Sequence, residues 1–292
     1  MKLGIGSAQF GLDYGISNQR GKTPFGEVKN ILEMAASRGI RVIDTAPLYS
    51  VSEKVLGETL PAGHRFDIVT KTPAFEGDQI TRAQVRLLEK TFENSLAVLH
   101  QASVHGFLVH HANALLVKNG EWLFEAMQSL KQRGLIKKIG VSVYTPDEID
   151  GVLEKYEIDL IQLPVNVLDQ RLLESGHLRM LKRAGVEIHG RSVFLQGLLL
   201  MDPNTLPVHF SGIRQHLKNY QIYLGERGLT PLRGALGFVM GIGELGAIIC
   251  GVNDRHQLEE ILAAAEPPLN TDEMGRFALH DTAVLNPTRW LI

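Results

Sequence analysis

Short β-rich apolar runs recur along the chain, and a longer stretch with helical spacing follows each of them. This alternation signals βα units around a parallel sheet. The candidate strands are Leu3 to Ala8, Arg41 to Ala46, Asp67 to Lys71, Val104 to His110, Lys138 to Val143, Leu160 to Pro164, Glu187 to Val193 and Ala247 to Val252. Candidate helices lie near 25–38, 52–60, 81–99, 119–134, 146–156, 170–184, 211–227, 231–241 and 254–265. Between Ala83 and Leu99 the residues Val85, Leu88, Phe92, Leu96 and Leu99 stand three or four apart, which puts them on one face. Gly39 and Gly134 each follow a helical pattern and precede a strand, where a left-handed C-cap is expected. Thr145-Pro146-Asp147-Glu148 reads as a helix start, with a Thr cap, Pro at the first helical position and acidic residues favourable to the dipole. Eight such repeats in about 250 residues match an α/β fold of the (β/α)8 TIM-barrel kind, and an open doubly wound sheet is the alternative. No Pro/Gly/Ser-rich linker divides the chain, so one barrel domain over residues 1–292 is expected, with Asp202 to Pro207 as a loop.

Composition narrows the function classes. With 44% hydrophobic and 21% charged residues, and 30 Lys+Arg against 32 Asp+Glu, the formal net charge is −2. That leaves no electrostatic footprint for nucleic acid or an anionic membrane surface. The longest apolar runs, such as Val193 to Met201, fall short of the roughly 20 residues of a membrane helix. The start, Met1 to Gly6, has no signal-peptide core. The single cysteine, Cys250, can form neither an intrachain bridge nor a CxxC site, so a cytoplasmic, reducing setting is expected, with Cys250 as a small core residue.

In a barrel the active site lies at the C-terminal strand ends, so polar residues that terminate apolar strands carry the information. Asp44, Lys71 and His110 end the second, third and fourth candidate strands, and Ser142, Gln162 and Arg191 occupy similar places on the next three. A buried Asp and Lys without partners would be costly, and convergence at one barrel mouth lets them neutralise each other. His105, His110 and His111 lack the Cys or carboxylate cluster that would complete a metal site, so no metal is expected. Gly241-Ile242-Gly243-Glu244-Leu245-Gly246 matches GxGxxG, yet a helical pattern precedes it and a strand follows. A phosphate loop needs the opposite order.

Asp44-Thr45-Ala46-Pro47-Leu48-Tyr49-Ser50-Val51-Ser52-Glu53-Lys54-Val55-Leu56-Gly57 resembles the aldo-keto reductase pattern D-T-A-x-x-Y-G-x-S-E-x-x-L-G, with Ser50 the one departure. The resemblance continues through Val69-Thr70-Lys71, Leu108-Val109-His110, Lys138-Ile139-Gly140-Val141-Ser142 and Ile161-Gln162. It implies a catalytic tetrad of Asp44, Tyr49, Lys71 and His110. In that scheme hydride passes between a nicotinamide cofactor and a carbonyl carbon, Tyr49 donates or accepts the proton, and His110 orients the carbonyl. A free Tyr titrates near about 10, and a neighbouring ammonium is expected to lower that value, with a carboxylate fixing the ammonium. Strand alternation and the family spacing favour His110 over His111 for the histidine role.

The resemblance also implies that the cofactor lies across the barrel mouth. Ser142 and Gln162 match positions that hold the carboxamide, Arg191 a position where an aromatic ring often stacks on the nicotinamide, and Ser192, Phe194 and Gln196 the pyrophosphate loop. Gly251, Asn253, Arg255 and Gln257 belong to a segment similar to the adenosine-phosphate site. Val143 replaces the family's usual Asn. Gly251 and Gln257 stand where basic residues often grip a 2′-phosphate, which leaves Arg255 as the basic candidate there. NADP(H) is the family default and NAD(H) the alternative.

The resemblance implies an NAD(P)-dependent oxidoreductase that acts on aldehydes, ketones, the corresponding alcohols or sugar hemiacetals, as a monomer or small homo-oligomer. Asn166, Gln196 and Arg191 are polar candidates at the mouth that suggest hydroxylated substrates. The short His111 to Asn119 loop and the 25 residues after Pro267 leave little material for long lids. The rival readings are a catalytically weak nicotinamide-binding sensor or partner subunit on the same fold, and an unrelated barrel lyase or isomerase.

Overall fold

The computed structural model describes residues 2–290. Its eight strands are β1 (Leu3–Gly6), β2 (Val42–Asp44), β3 (Asp67–Lys71), β4 (Val104–Val109), β5 (Ile136–Ser142), β6 (Leu160–Pro164), β7 (Glu187–Arg191) and β8 (Ala247–Gly251). They pair in sequence order, all parallel, and β8 returns to β1 to close the barrel, with Ile5 opposite Cys250. Closure removes every sheet edge and excludes the doubly wound alternative. Helices such as Phe25–Ser37, Arg82–Leu99, Glu121–Gln132 and Pro146–Lys155 pack outside, placing Leu88, Phe92 and Leu99 against the sheet. No helix of the described residues is long and apolar enough to cross a membrane.

The expected helix signals are used as read. Thr145 Oγ1 accepts from the Glu148 N–H at 3.3 Å while Glu148 Oε2 accepts from the Thr145 N–H at 3.2 Å, a complete capping box. Gly39 and Gly134 take left-handed conformations with φ of 75° and 74° just past their helices. Helix 170–184 of the sequence reading is instead two pieces, Arg171–Glu174 and His177–Arg183, because Gly176 at φ 80° breaks it. Strand β1 stops at Gly6 because Ala8–Gly11 turns helical. Trp122 lies under the Arg82 guanidinium of the neighbouring helix at 3.8 Å.

Inside the barrel Val69, Leu108 and Leu160 form a separate apolar plug with Val42. Gly140 makes room for it, since a Cβ there would come within 2.5 Å of Leu108 Cδ2 and 2.1 Å of the Leu160 carbonyl oxygen. Below the plug, at the N-terminal strand ends, Glu187 accepts from His189 at 2.7 Å, faces His105 at 3.3 Å and also bonds Lys138. Bonds from His105 and His189 hold its carboxyl far below the usual carboxylate range. Strict alternation along β4 assigns His105 to the outer face with Phe107. It lies instead between Asp67 of β3, at 3.6 Å, and Glu187 of β7. The Gly241 to Gly246 run joins helix Pro231–Gly241 to β8, the order that excludes a phosphate loop. Gly241 is small because a Cβ would lie 2.3 Å from the Leu269 carbonyl oxygen.

Candidate active site

The plug leaves the C-terminal strand ends free for polar groups. Asp44 and Lys71 point inward from β2 and β3, and both are almost fully buried. Lys71 Nζ donates to Asp44 Oδ1 at 2.6 Å, to the Thr45 carbonyl oxygen at 2.9 Å and to the Tyr49 hydroxyl at 3.3 Å. Gln162 of β6 adds a bond from Nε2 to Asp44 Oδ1 at 2.7 Å. Burial pushes the Lys71 ammonium down from its ordinary value, and the Asp44 carboxylate opposes that fall.

Tyr49 comes from the short turn Pro47–Tyr49 just past β2. Its position depends on packing that the sequence pattern does not spell out. A Cβ on Gly11 would fall 1.8 Å from the Tyr49 carbonyl oxygen, so only glycine lets the Ala8–Gly11 turn meet this one. Ser52 Oγ donates to the Ser7 carbonyl oxygen at 2.8 Å, and Glu53 accepts from Thr70 Oγ1 at 2.6 Å and Ser95 Oγ at 2.9 Å behind the barrel wall. The phenol does not titrate low, as the sequence reading expected. Burial first, and the Asp44 carboxylate second, push Tyr49 well above 10, against a lowering pull from Arg191. The Lys71 charge, already matched by Asp44, offers the phenolate little net attraction. Tyr49 therefore holds its proton across the neutral range.

His110 lies one residue past β4, with its ring 6.1 Å from that of Tyr49 at 88°. Its backbone N–H donates to Thr72 Oγ1 at 3.1 Å, and its buried Nδ1 has no partner among the described residues. Burial first, with the Lys71 ammonium second, pushes His110 to about 2, so the ring is neutral. His111 stacks beside it at 5.0 Å and is more exposed.

All four of these residues line a cavity of about 660 Å³ at the barrel mouth. Ser142, Gln162, Arg191, Ser192, Phe194, Gln196, Gly251, Asn253 and Gln257 line the same cavity, as do Tyr14, Tyr144 and Gln9, which the sequence reading missed. Tyr144 was within reach of strand alternation, two residues beyond the inward Ser142. Gln9 and Tyr14 lie on a loop without a periodic signal. Arg255 stands outside: it is exposed, its guanidinium reaches Glu259 at 3.2 Å, and its backbone N–H donates to Glu27 Oε1 at 2.6 Å. Asn166 is fully buried and spent within the fold, donating to the Ser192 carbonyl oxygen at 3.0 Å and accepting from the Leu168 N–H at 2.9 Å. It is therefore removed from the substrate candidates. Val143 is buried in the outer core, and its carbonyl accepts from Arg191 Nη2 at 3.1 Å.

The cavity suits an extended ligand. Ser192, Leu195 and Gln196 hold positive φ of 57°, 48° and 54°, a cluster of non-glycine residues in a sparsely populated region, and Ser192 and Gln196 line the cavity. Asn253 Nδ2 donates to the Gly21 carbonyl oxygen at 3.1 Å and Arg20 pairs with Asp254, which ties the loop after β1 to the loop after β8. A Cβ on Gly251 would come within 2.4 Å of the Gln9 amide, so the Gln9 side chain packs directly on the Gly251 backbone there. Among the described residues no group of three His, Cys, Asp or Glu side chains is placed to hold a metal ion. Burial pushes the Cys250 thiol up to about 12, which leaves it unreactive.

The glycerol dehydrogenase AKR11B4 of Gluconobacter oxydans has a similar fold, with a TM-score of 0.72, 19% identity, and 98% of this chain and 92% of that one covered. The aldo-keto reductase AKR11C1 of Bacillus halodurans is similar with a TM-score of 0.75 at 20% identity, over 99% of this chain and 95% of that one. An uncharacterized oxidoreductase of Bacillus subtilis, YqkF, is 24% identical over 264 residues, 84% of each chain. The NADH-specific methylglyoxal reductase of Escherichia coli is 27% identical over 198 residues, 59% of this chain and 57% of that one. The sequence profile of the Aldo/keto reductase family matches residues 2–281. The barrel, the strand-end residues and this match over nearly the whole length lead to one conclusion: the chain belongs to the aldo/keto reductase family.

Proposed function

We propose that this family member is an NAD(P)-dependent oxidoreductase that interconverts an aldehyde or ketone with its alcohol, or a sugar hemiacetal with its oxidised form, with Tyr49 as the general acid and base. The observation that carries the reading is the buried chain Asp44–Lys71–Tyr49, with bonds of 2.6 and 3.3 Å, facing a neutral His110. The cavity fits a nicotinamide dinucleotide: Ser142 and Gln162 present a hydroxyl and an amide oxygen to a carboxamide. Arg191, Ser192, Phe194, Gln196, Asn253 and Gln257 line the same cavity. A bound nicotinamide would supply or accept the hydride.

The protein's own groups handle the proton. Tyr49, held protonated by burial, donates to the carbonyl oxygen as negative charge develops there. Lys71 donates to the Tyr49 oxygen, a hydrogen bond that the phenolate left behind keeps, and Asp44 holds Lys71 in place. Neutral His110 presents ring N–H to the same oxygen without adding a charge that would compete with Lys71. In the oxidative direction Tyr49 accepts the alcohol proton.

NADP(H) is proposed on the family default and NAD(H) remains the competing cofactor, because Arg255 is engaged with Glu259 and no other side chain of its segment, Gly251 to Leu258, offers an Arg or Lys. The protein is proposed as one cytoplasmic barrel domain over the chain, a monomer or small homo-oligomer with small-molecule partners. The test is titration with NADPH and NADH by fluorescence, followed by turnover on a broad carbonyl panel. Saturable binding with turnover supports the reading. Binding without turnover favours a sensor or partner subunit, and no binding removes the oxidoreductase reading.

A further inference from the structure

Beside Tyr49 one charge is unmatched. Asp44 and Lys71 cancel as a pair at 2.6 Å. Arg191, at the end of β7 in the same cavity, has no carboxylate within ion-pair distance among the described residues. Its guanidinium is nonetheless held in place: Nη2 donates to the Val143 carbonyl oxygen at 3.1 Å, Nη1 to Ser192 Oγ at 3.3 Å, and Cζ lies 4.1 Å from the Tyr144 ring centroid. Both acceptors are neutral, and three of the five N–H groups have no partner among the described residues. His110 and His111 are kept neutral and contribute no second cation. Arg20, paired with Asp254, and Glu260 also line the cavity, but beside Tyr49 Arg191 is an unmatched guanidinium, held in orientation and half-buried.

We propose that Arg191 anchors a carboxylate carried by the carbonyl substrate, so that the site takes aldehyde or ketone acids in preference to neutral carbonyl compounds of the same size. This rests on the oxidoreductase reading above and specifies its substrate class. A planar guanidinium matches a carboxylate in shape, and a single charge matches a single charge. A phosphate ester, at nearly two negative charges near neutral pH, asks for more than the one unmatched guanidinium. Stacking on Tyr144 lowers the entropy lost when the anchor engages.

The test compares kcat/KM for succinic semialdehyde with that for its methyl ester and for butanal, in the wild type and in Arg191→Gln and Arg191→Lys. Each ratio is taken within one protein, so any loss the substitution causes to all substrates alike cancels. The wild type is expected to favour the acid by about tenfold or more, Arg191→Gln to reduce that ratio by about tenfold to a hundredfold, and Arg191→Lys to keep part of it. Added salt should lower the wild-type ratio, as it screens the pair. Turnover with no preference for the acid, or a preference that survives Arg191→Gln, overturns the anchor and leaves the oxidoreductase reading intact. Weaker NADPH binding in Arg191→Gln with the acid preference unchanged assigns Arg191 to the cofactor and likewise overturns the anchor. Absence of turnover on all three substrates by a protein that turns over other carbonyls overturns the anchor alone, and absence of all turnover overturns both.

Discussion

Replacing Asp44 by Asn is an isosteric change that removes one charge from the pair it forms with Lys71, whose side chain is 1% exposed. Lys71 Nζ keeps the Thr45 carbonyl and the Tyr49 hydroxyl as acceptors but loses its counter-charge. Leaving a buried charge uncompensated destabilises by about 3–5 kcal/mol. Deprotonation of Lys71 sets a ceiling: neutralising an amine of unperturbed pKa about 10.4 at pH 7 takes roughly 4.6 kcal/mol, and at pH 9 roughly 2 kcal/mol. Over the range between the lowered folded pKa of Lys71 and its unfolded value, the unfolded state binds the extra proton, so stability rises with pH. Asp44→Asn is therefore expected to lose about 3–4.6 kcal/mol near pH 7 and less than about 2 kcal/mol near pH 9. Urea unfolding followed by tryptophan fluorescence at both pH values measures this. Combining Lys71→Met with Asp44→Leu should recover most of the loss, since an apolar pair leaves no stranded charge. A loss below about 1 kcal/mol near pH 7, or one that does not shrink as pH rises, would refute the reasoning.

Three further outcomes follow from the packing. Gly11→Ala puts a Cβ 1.8 Å from the Tyr49 carbonyl oxygen, so turnover should fall by more than about tenfold as the phenol moves, and steady-state kinetics with a folded variant reads it. His110, depressed to about 2, refuses a proton that the unfolded chain accepts, so its share of stability is lost as pH falls below about 6.5. His110→Gln should flatten the pH dependence of thermal unfolding between about pH 4 and 7. Glu187, held far below the ordinary range by His105 and His189, contributes stability that is full above the unfolded Glu value and lost as pH falls toward the folded one. Glu187→Gln should destabilise by more than about 2 kcal/mol near pH 7 in denaturant titration, and by less as the wild type is acidified.

Much of this was legible in the chain. Alternating apolar runs and helical spacings carried the barrel, because period and length are local properties of sequence. The strand-end residues Asp44, Lys71, Ser142, Gln162 and Arg191 were legible because a parallel barrel gathers C-terminal strand ends at one mouth. Residues on irregular backbone were not. Tyr14 and Gln9 reach the cavity through the loop after β1, and Gly11 matters only through contact with a turn 38 residues away in the chain. Asn166 looked available from its residue type, and only the fold shows its amide already bonded to Ser192 and Leu168. The Tyr49 titration was misread for a related reason: an ammonium lowers a phenol when its charge is free, and the 2.6 Å pairing with Asp44 is a fact of three dimensions.

The most direct test of the proposed chemistry is nicotinamide-dependent turnover in Tyr49→Phe, which removes one oxygen and leaves the ring that packs edge-on to His110 at 6.1 Å. NADPH or NADH affinity should be close to wild type, and kcat for the best carbonyl substrate should fall by about a hundredfold to ten-thousandfold, the share of a positioned general acid. Wild-type turnover in Tyr49→Phe would contradict the assignment of the proton to this residue.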